Sequence, residues 1–397
     1  MTINTRTLRR AAVAAFAVPA LAALSACGQS AAGGGSEPTL NLGIATALTG
    51  TSAEFGGAVK AGAELAAEEI NNGGGVAVNG KNVKIKVSFC DTQLNGQKAA
   101  TCGKRLSSQE KDIAVFAGTS IEAFPLAGFN TSSTNKFIVV GTSASPKFTA
   151  MGNPLVVRLW YDVNVYMPNF SKELYSYASA TGSKGTKVGI MESKDEFGQA
   201  WATKFSEGWK DAGGEAPVRA TYAATDTDLY NPISTLLKAK PDYIAAPGLC
   251  SSTSKIVKQA KEMQFKGRFI FQSGCTAKEL ATLVDPQFLE GSAFEGTKIQ
   301  QGGSELKAFN EAFQKKYSKE PTTDSTVTAQ WVNWMAAAAA KAGTATDVEK
   351  IRAAMASTLE GDYNYMGAKD LQESGQIYAP IHVEYVPSSD GKTKAWN

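Results

Sequence analysis

Histidine is almost absent from this sequence: His382 is the only one in 397 residues, and it lies in a segment whose alternating pattern predicts a strand. Ser–His and Cys–His catalysis need an imidazole base, so the sequence argues against hydrolases of these types. It also lacks the G-x-S-x-G, H-E-x-x-H and phosphate-loop motifs, and the glycines at 73–75 end a predicted helix rather than begin one. We therefore expect a protein that is not an enzyme and that uses no cofactor.

An excess of basic charge is also missing. Residues 1–26 hold three arginines and no acid, so removing them from the 40 basic side chains leaves 37, equal to the 37 acidic ones. Nucleic-acid binding requires a clustered basic excess, so we expect no nucleic-acid partner. The remaining length exceeds what a single hydrophobic core usually supports, which predicts two lobes.

Apolar stretches long enough to cross a membrane are lacking as well. Residues 11–23 are apolar but too short for a membrane span, and with the arginines before them they are typical of a secretory signal. Leu24-Ser25-Ala26-Cys27 resembles a bacterial lipobox, in which the cysteine is acylated; an ordinary cleavage site beside a chance cysteine is the alternative. We predict a signal peptide at 1–26, lipidation of Cys27 as the membrane anchor, and a flexible tether at 27–38, with the export route open.

Cysteine is scarce, and its number fits an exported protein. Besides Cys27 there are four, an even number that favours disulfides outside the cytoplasm. Their order predicts the pairs Cys90–Cys102 and Cys250–Cys275. Metal binding is the alternative, but the sequence has no C-x-x-C pair and its histidine is distant.

What the sequence does contain is an alternation of short β-branched runs with longer helical patterns, which predicts parallel sheets flanked by helices. In the first half we predict strands at 40–45, 83–89, 113–117 and 137–140, and helices at 58–70, 97–108 and 124–134. In the second half we predict strands at 187–191, 243–246, 269–272 and 377–386, and helices at 198–212, 252–263, 304–317, 326–341 and 348–356.

Several segments carry a family resemblance. The stretch 44–56 (IATALTGTSAEFG) is followed by 62–71 (GAELAAEEIN), by GGGV at 73–76 and by Asp91. Looser matches continue at 118–120, 141–145 and 195–198. Together they resemble the branched-chain amino-acid-binding family of ABC-transporter solute-binding proteins over about residues 39–386.

The resemblance implies an α/β type I periplasmic binding fold, with two lobes joined by three crossover strands. Lobe one would comprise 39–159 with 296–376, and lobe two 160–295 with 377–397. It implies an extracytoplasmic protein that closes on a small-molecule solute and delivers it to an ABC permease in the membrane. We expect a monomer. A ligand-sensing module for a membrane receptor is the alternative, because both roles use the same closure.

Two hydroxyl-rich segments follow predicted strands and are candidates for ligand contact: Gly118-Thr119-Ser120 and Ser143-Ala144-Ser145. In an open parallel sheet, ligands bind at the carboxyl ends of the strands. Hydroxyls and free N–H groups there suit a carboxylate, aided by the helix dipole. The alternative is that these hydroxyls only cap helices.

Aromatic side chains would enclose the rest of the ligand. Phe55 and Phe197 fall where members of the family commonly carry a tyrosine over the ligand, and Trp160 lies near the first crossover. The resemblance also implies that Trp331 begins a helix that faces the cleft. Arg158 is equally explained as a partner in a structural ion pair.

The sequence departs from the family at the point where amino-acid-binding members carry an acid for the ligand ammonium. That segment reads Ser273-Gly274-Cys275, and the loop at 248–250 lacks the expected tyrosine. Glu122 stands where a serine is usual. It either faces the cleft or is a first-turn acid that interacts with its own helix dipole. The ligand is therefore open: a branched-chain or other small amino acid, an amide or urea-like solute, or an aromatic acid.

Overall fold

The computed structural model describes residues 39–181, 186–301, 304–388 and 392–396. The predicted signal peptide, the tether and Cys27 lie outside this part of the chain. Within the described part, no helix combines the length and the apolar character needed to cross a membrane.

The first half of the chain builds a six-stranded sheet, which defines the first lobe. Its strand order is β2-β3-β1-β4-β7-β8, while β5 and β6 form a separate hairpin. The strands are β1 (Thr39–Thr46), β2 (Val76–Val78), β3 (Lys81–Asp91), β4 (Ala114–Ala117), β5 (Thr131–Ser132), β6 (Asn135–Lys136), β7 (Ile138–Gly141) and β8 (Val156–Arg158). The central strands β4 and β7 are buried along their whole length, as expected for parallel strands covered on both faces.

Helices cover this sheet, and the register of its strands aligns their carboxyl ends. Ala117 lies opposite both Ala45 and Gly141, so the segments that follow β4 and β7 emerge side by side. The helices of this half are α1 (Ala53–Asn72), α2 (Gly96–Ser108), α3 (Ser120–Ala127) and α4 (Lys147–Ala150). The helix predicted at 124–134 begins earlier and is shorter, because Thr119 has the extended backbone of an N-cap residue and Gly128 ends the helix.

The second lobe is built on a seven-stranded sheet of order β10-β9-β11-β12-β13-β14-β15. Its strands are β9 (Val188–Ser193), β10 (Val218–Tyr222), β11 (Tyr243–Ala246), β12 (Arg268–Phe271), β13 (Ala293–Thr297), β14 (Ile381–Tyr385) and β15 (Lys394–Ala395). Its helices are α5 (Val163–Thr181), α6 (Glu196–Asp211), α7 (Tyr230–Leu237), α8 (Cys250–Glu262) and α9 (Ala277–Leu280), and a short 3-10 turn lies at Pro286–Leu289. A second 3-10 turn, at Ala356–Thr358, belongs to the first lobe and follows its last helix.

Between β13 and β14 the chain returns to the first lobe. The helices of this excursion are α10 (Lys298–Gln301), α11 (Ser304–Tyr317), α12 (Thr323–Ala342) and α13 (Val348–Ala354). Helix α12 packs along α1, so closely that a Cβ on Gly62 would lie 2.0 Å from the backbone oxygen of Ser325. The chain therefore crosses between lobes after Arg158, after Thr297 and again before Ile381, which is the predicted type I periplasmic binding architecture.

The predicted parallel sheets are present, and antiparallel pairs are added at their edges. Strand β2 pairs antiparallel with β3 through a tight turn at Asn79-Gly80, where both residues have positive φ, as a two-residue hairpin requires. Strand β14 runs antiparallel to β13 because the chain re-enters this sheet from the first lobe. Both sheets are mixed for these local reasons, and their central strands remain parallel.

Candidate ligand-binding site

A cavity of about 80 Å³ lies between the lobes at the carboxyl ends of both sheets. The first lobe provides one side, here called the lobe-one wall: Leu94, Gly118, Thr119, Ser120, Ile121, Thr142, Ala144 and Asp324. The second lobe provides the lobe-two wall: Ser193, Asp195, Phe197, Tyr222, Ala224, Gly248, Leu249, Ser252, Gln272 and Gly274. Trp160 lines the cavity at the first crossing.

The lobe-one wall includes both predicted hydroxyl segments, but only some of their residues. Gly118, Thr119 and Ser120 line the cavity, and so does Ala144, while Ser143 and Ser145 lie behind it. Alternation explains the second segment, because successive side chains of extended backbone point to opposite faces. Here Thr142 and Ala144 share the face that lines the cavity. The Ser143 hydroxyl lies 2.7 Å from that of Ser120 and so helps to position it.

Phe55 also lies behind the wall rather than in it. Its side chain is buried, and a Cβ on Gly118 would lie only 2.5 Å from its ring. The ring therefore packs against the Gly118 backbone. Phe55 does not line the cavity. Trp331 is likewise buried, with its ring centroid 5.3 Å from that of Phe116.

Arg158 is a structural residue. It is completely buried, and its guanidinium donates to the Ser145 carbonyl (2.8 Å) and to the Gln376 side chain (2.9 Å). It also donates to the Ser143 carbonyl and lies 3.2 Å from a carboxylate oxygen of Asp162. Burial lowers its pKa to about 10, so it stays charged at neutral pH. Arg158 thus fixes the backbone that carries the hydroxyl segment.

Glu122 does not line the cavity, so the interpretation as a cleft-facing acid is wrong and the first-turn interpretation holds. Its carboxylate is fully buried in the first turn of α3 and accepts hydrogen bonds from the hydroxyls of Thr92 and Thr119. Desolvation raises its pKa to about 7. Its contact with Thr119 supports a residue of the wall.

The lobe-two wall combines aromatic rings with polar groups. Phe197 and Tyr222 line it, and Trp160 lines the cavity beside it at the first crossing. Asp195 caps α6, with one carboxylate oxygen accepting from the backbone N–H groups of Phe197 (2.9 Å) and Gly198 (3.0 Å). The helix predicted at 198–212 therefore begins two residues earlier, directly after Asp195, a residue type that is favoured at the N-cap.

A buried carboxylate, Glu295, supports the lobe-two wall from behind. It accepts from the Tyr166 hydroxyl (2.6 Å), the Trp201 indole N–H (2.8 Å) and the Ser273 backbone N–H (3.1 Å). Burial raises its pKa to about 7. Sequence inspection placed no acid here because Glu295 lies on the neighbouring strand β13 rather than after β12.

Asp324 is the acid that sequence analysis missed. It lies in the first turn of α12, lines the cavity, and its carboxylate has no hydrogen bond or ion pair to any residue within the described ranges. Desolvation, with repulsion from Glu279, raises its pKa well above the ordinary value. The Thr322 cap predicts a helix start, but Asp324 is about 200 positions from the segments it joins, so no local pattern links it to the site.

Both predicted disulfides are present. Cys90 is joined to Cys102 in the first lobe, and Cys250 to Cys275 in the second. The second bridge borders the cavity, because Leu249 and Gly274 are the sequence neighbours of its cysteines. Among the described residues, no group of three His, Cys, Asp or Glu side chains could hold a metal ion.

Comparison with known proteins agrees with this geometry. A sequence model of the family described as periplasmic binding protein matches residues 39–391. The leucine-, isoleucine-, valine-, threonine-, and alanine-binding protein of Pseudomonas aeruginosa is 24% identical over 341 residues, covering 85% of this chain and 87% of that protein.

Solved structures share the fold. The branched-chain amino acid substrate-binding protein LivJ of Streptococcus pneumoniae, in complex with isoleucine, has a TM-score of 0.74 and 23% identity, covering 90% of this chain and 98% of that one. An ABC-transporter solute-binding protein of R. palustris, in complex with benzoate, has a TM-score of 0.73 and 17% identity, covering 90% of this chain and 95% of that one.

Proposed function

Because the chain belongs to the periplasmic binding protein family and is an extracytoplasmic solute-binding protein, we propose that it is the lipid-anchored substrate-binding protein of an ABC importer. The single observation that carries this proposal is the cavity lined from both sheets at the carboxyl ends of their strands. Residues 39–159 with 296–376 would close as one lobe against 160–295 with 377–397, as a monomer.

The walls support a small amino acid or a related amide or carboxylate as the solute. Thr119 and Ser120 stand at the start of α3, where the Ser120 hydroxyl and the backbone N–H groups can donate to a carboxylate or carbonyl group. Trp160, Phe197 and Leu249 offer apolar surface for the remainder. Names of relatives that bind leucine, isoleucine and valine make branched-chain amino acids the first solutes to test.

An aromatic acid is the second candidate. The three rings of Trp160, Phe197 and Tyr222 favour it, as does the relative whose structure holds benzoate. A sensing role for a membrane receptor uses the same closure. Reconstitution with the partner permease distinguishes these roles, because only an importer stimulates solute uptake.

A thermal-shift screen tests the solute class. Amino acids, amides, urea and aromatic acids are compared, and calorimetry follows on each compound that raises the melting temperature. A rise of several degrees with an amino acid, amide or carboxylate is expected. Stabilisation by sugars or metal ions alone would contradict the assignment.

The lipid anchor has a separate test. Cys27→Ser should abolish acylation and release the protein from the membrane, since the proposed acyl cysteine would be its anchor. Retention of the Cys27→Ser protein on membranes after a salt wash would contradict the lipobox interpretation.

A further inference from the structure

The cavity is lined by two acids and by no lysine or arginine among the described residues. A carboxylate solute without a positive group would face both acids and find no counter-charge. The charges that line the cavity therefore disfavour the binding of a simple anion. A solute that also carries a positive group can neutralise one of the two acids.

The two acids differ in how far the protein already satisfies them. Asp195 is compensated, since one of its oxygens accepts two backbone N–H groups at the start of α6. Asp324 has no such donors within the described chain, and the nearby carboxylate of Glu279 repels it. The dipole of α12 gives a first-turn acid only a weak interaction, which does not replace lost hydration.

Asp324 also cannot move away from the cavity easily. Its helix start is fixed by a reciprocal cap between Thr322 and Ser325. The backbone contact between Gly62 and Ser325 holds this turn against α1. A carboxyl group that is held in a fixed position without a protein partner is suited to bind a cationic group of a ligand, because the ligand's positive charge then stabilises the ionised carboxylate.

We propose that Asp324 binds the cationic group of the solute, so that the site selects solutes that carry an ammonium group and rejects carboxylates that lack one. This inference rests on the proposed solute-binding function. It places the ammonium against the first lobe, whereas the resemblance implies an acid in the second lobe. Trp160, Phe197 and Tyr222 line the same cavity and add ring faces that attract a cation.

Calorimetry on three forms of the full chain tests this: the natural protein, Asp324→Asn, and Glu54→Gln as the control. Glu54 is also a first-turn acid, on α1, but it is exposed and does not line the cavity. The probes are matched pairs with and without the ammonium: L-leucine with 4-methylpentanoate, L-phenylalanine with 3-phenylpropanoate, and isopentylamine and benzoate as single-charge probes.

Only probes that carry the ammonium should bind the natural protein well, and Asp324→Asn should weaken them by at least about 30-fold. Glu54→Gln should change affinity less than about threefold. Ligand-free Asp324→Asn should melt at the same or a higher temperature, because the natural carboxyl group makes no hydrogen bond or ion pair with the described residues that the amide would lose. If the role of Asp324 were purely structural, Asp324→Asn would instead lower the melting temperature and leave the affinities of the folded protein unchanged.

Two results would overturn the inference and leave the proposed function standing. One is a carboxylate that binds at least as tightly as its ammonium-bearing partner; the other is unchanged affinity of the ammonium-bearing probes in Asp324→Asn. If no amino acid, amide, amine or carboxylate binds the natural protein, the proposed function itself fails, and the inference fails with it.

Discussion

The two walls of the cavity are supported in different ways. Behind the lobe-one wall a buried cation, Arg158, donates to the backbone carbonyls of Ser143 and Ser145. Behind the lobe-two wall a buried acid, Glu295, accepts from side-chain and backbone donors, and a disulfide joins two neighbouring loops. The comparison shows that a wall of small hydroxyl residues needs its backbone fixed by polar contacts, while the wall assembled from several loops also uses a covalent bond.

Removing the cation behind the lobe-one wall should have the largest effect. Arg158→Met leaves Asp162 and the carbonyls without their donor and should lower the free energy of unfolding by about 3–5 kcal/mol. Lys204→Met is the control, because Lys204 pairs with Glu207 at the surface, where the two side chains are 38% and 54% exposed, and its loss should cost less than about 1 kcal/mol. Denaturant unfolding measures both. Equal losses would show that burial of Arg158 has no special weight.

Removing either disulfide should lower the stability of the protein, but removing only one of them should lower its affinity for the solute. Replacing both cysteines of either pair with alanine should cost about 3 kcal/mol of unfolding free energy. Only loss of Cys250–Cys275 should also lower the affinity for the solute, because Leu249 and Gly274 line the cavity next to those cysteines. Urea melts and calorimetry on the two double variants measure this. An equal loss of affinity when Cys90–Cys102 is removed would contradict it.

Amide replacements should distinguish the two buried acids. Glu295→Gln should cost about 1–3 kcal/mol, because an amide nitrogen cannot accept from the Trp201 indole or the Ser273 N–H. Glu122→Gln should cost less than about 1 kcal/mol, since the Thr92 hydroxyl can accept from the amide. Unfolding at pH 8, where both carboxyl groups are mostly ionised in the folded protein, measures the difference. A larger cost for Glu122→Gln would reverse the comparison.

Both acids also make stability depend on pH. Their folded pKa of about 7 lies above the unfolded value of 4.5, so between these values the folded state holds the proton that the unfolded state has lost. Stability due to each group is therefore full below pH 4.5 and falls as pH rises towards 7, by up to about 1.4 kcal/mol per pH unit. Either amide variant should show a shallower decline in melts across this range, and an unchanged slope would count against the pKa assignment.

The exposed ion pair between the two lobes, Lys147 with Glu196, should have the smallest effect. Lys147 and Glu196 lie on opposite lobes with 2.7 Å between amine and carboxylate, but their side chains are 65% and 42% exposed. Lys147→Met should lower the affinity for the solute by less than about fivefold. Calorimetry at low and high salt checks this, and a tenfold loss would mean that surface charge drives closure.

Local sequence patterns predict the parts of the site that are close together in the chain. The hydroxyl segments were predicted because each directly follows a buried strand, and Trp160 because it follows the first crossing. Which hydroxyls face the cavity was not predicted, since Ser143 and Ala144 differ only in the direction that the backbone gives them. Asp324 and Tyr222 reach the cavity only through tertiary packing, which no spacing in the sequence encodes.

The three crossings have a consequence for synthesis and export. An N-terminus-first chain cannot complete the first lobe when β8 emerges, because α12, which packs along α1, comes about 165 residues later. The second lobe also waits, since β14 completes its sheet beside β13 only near the end of the chain. Neither lobe can therefore complete its final fold until almost all of the chain is available.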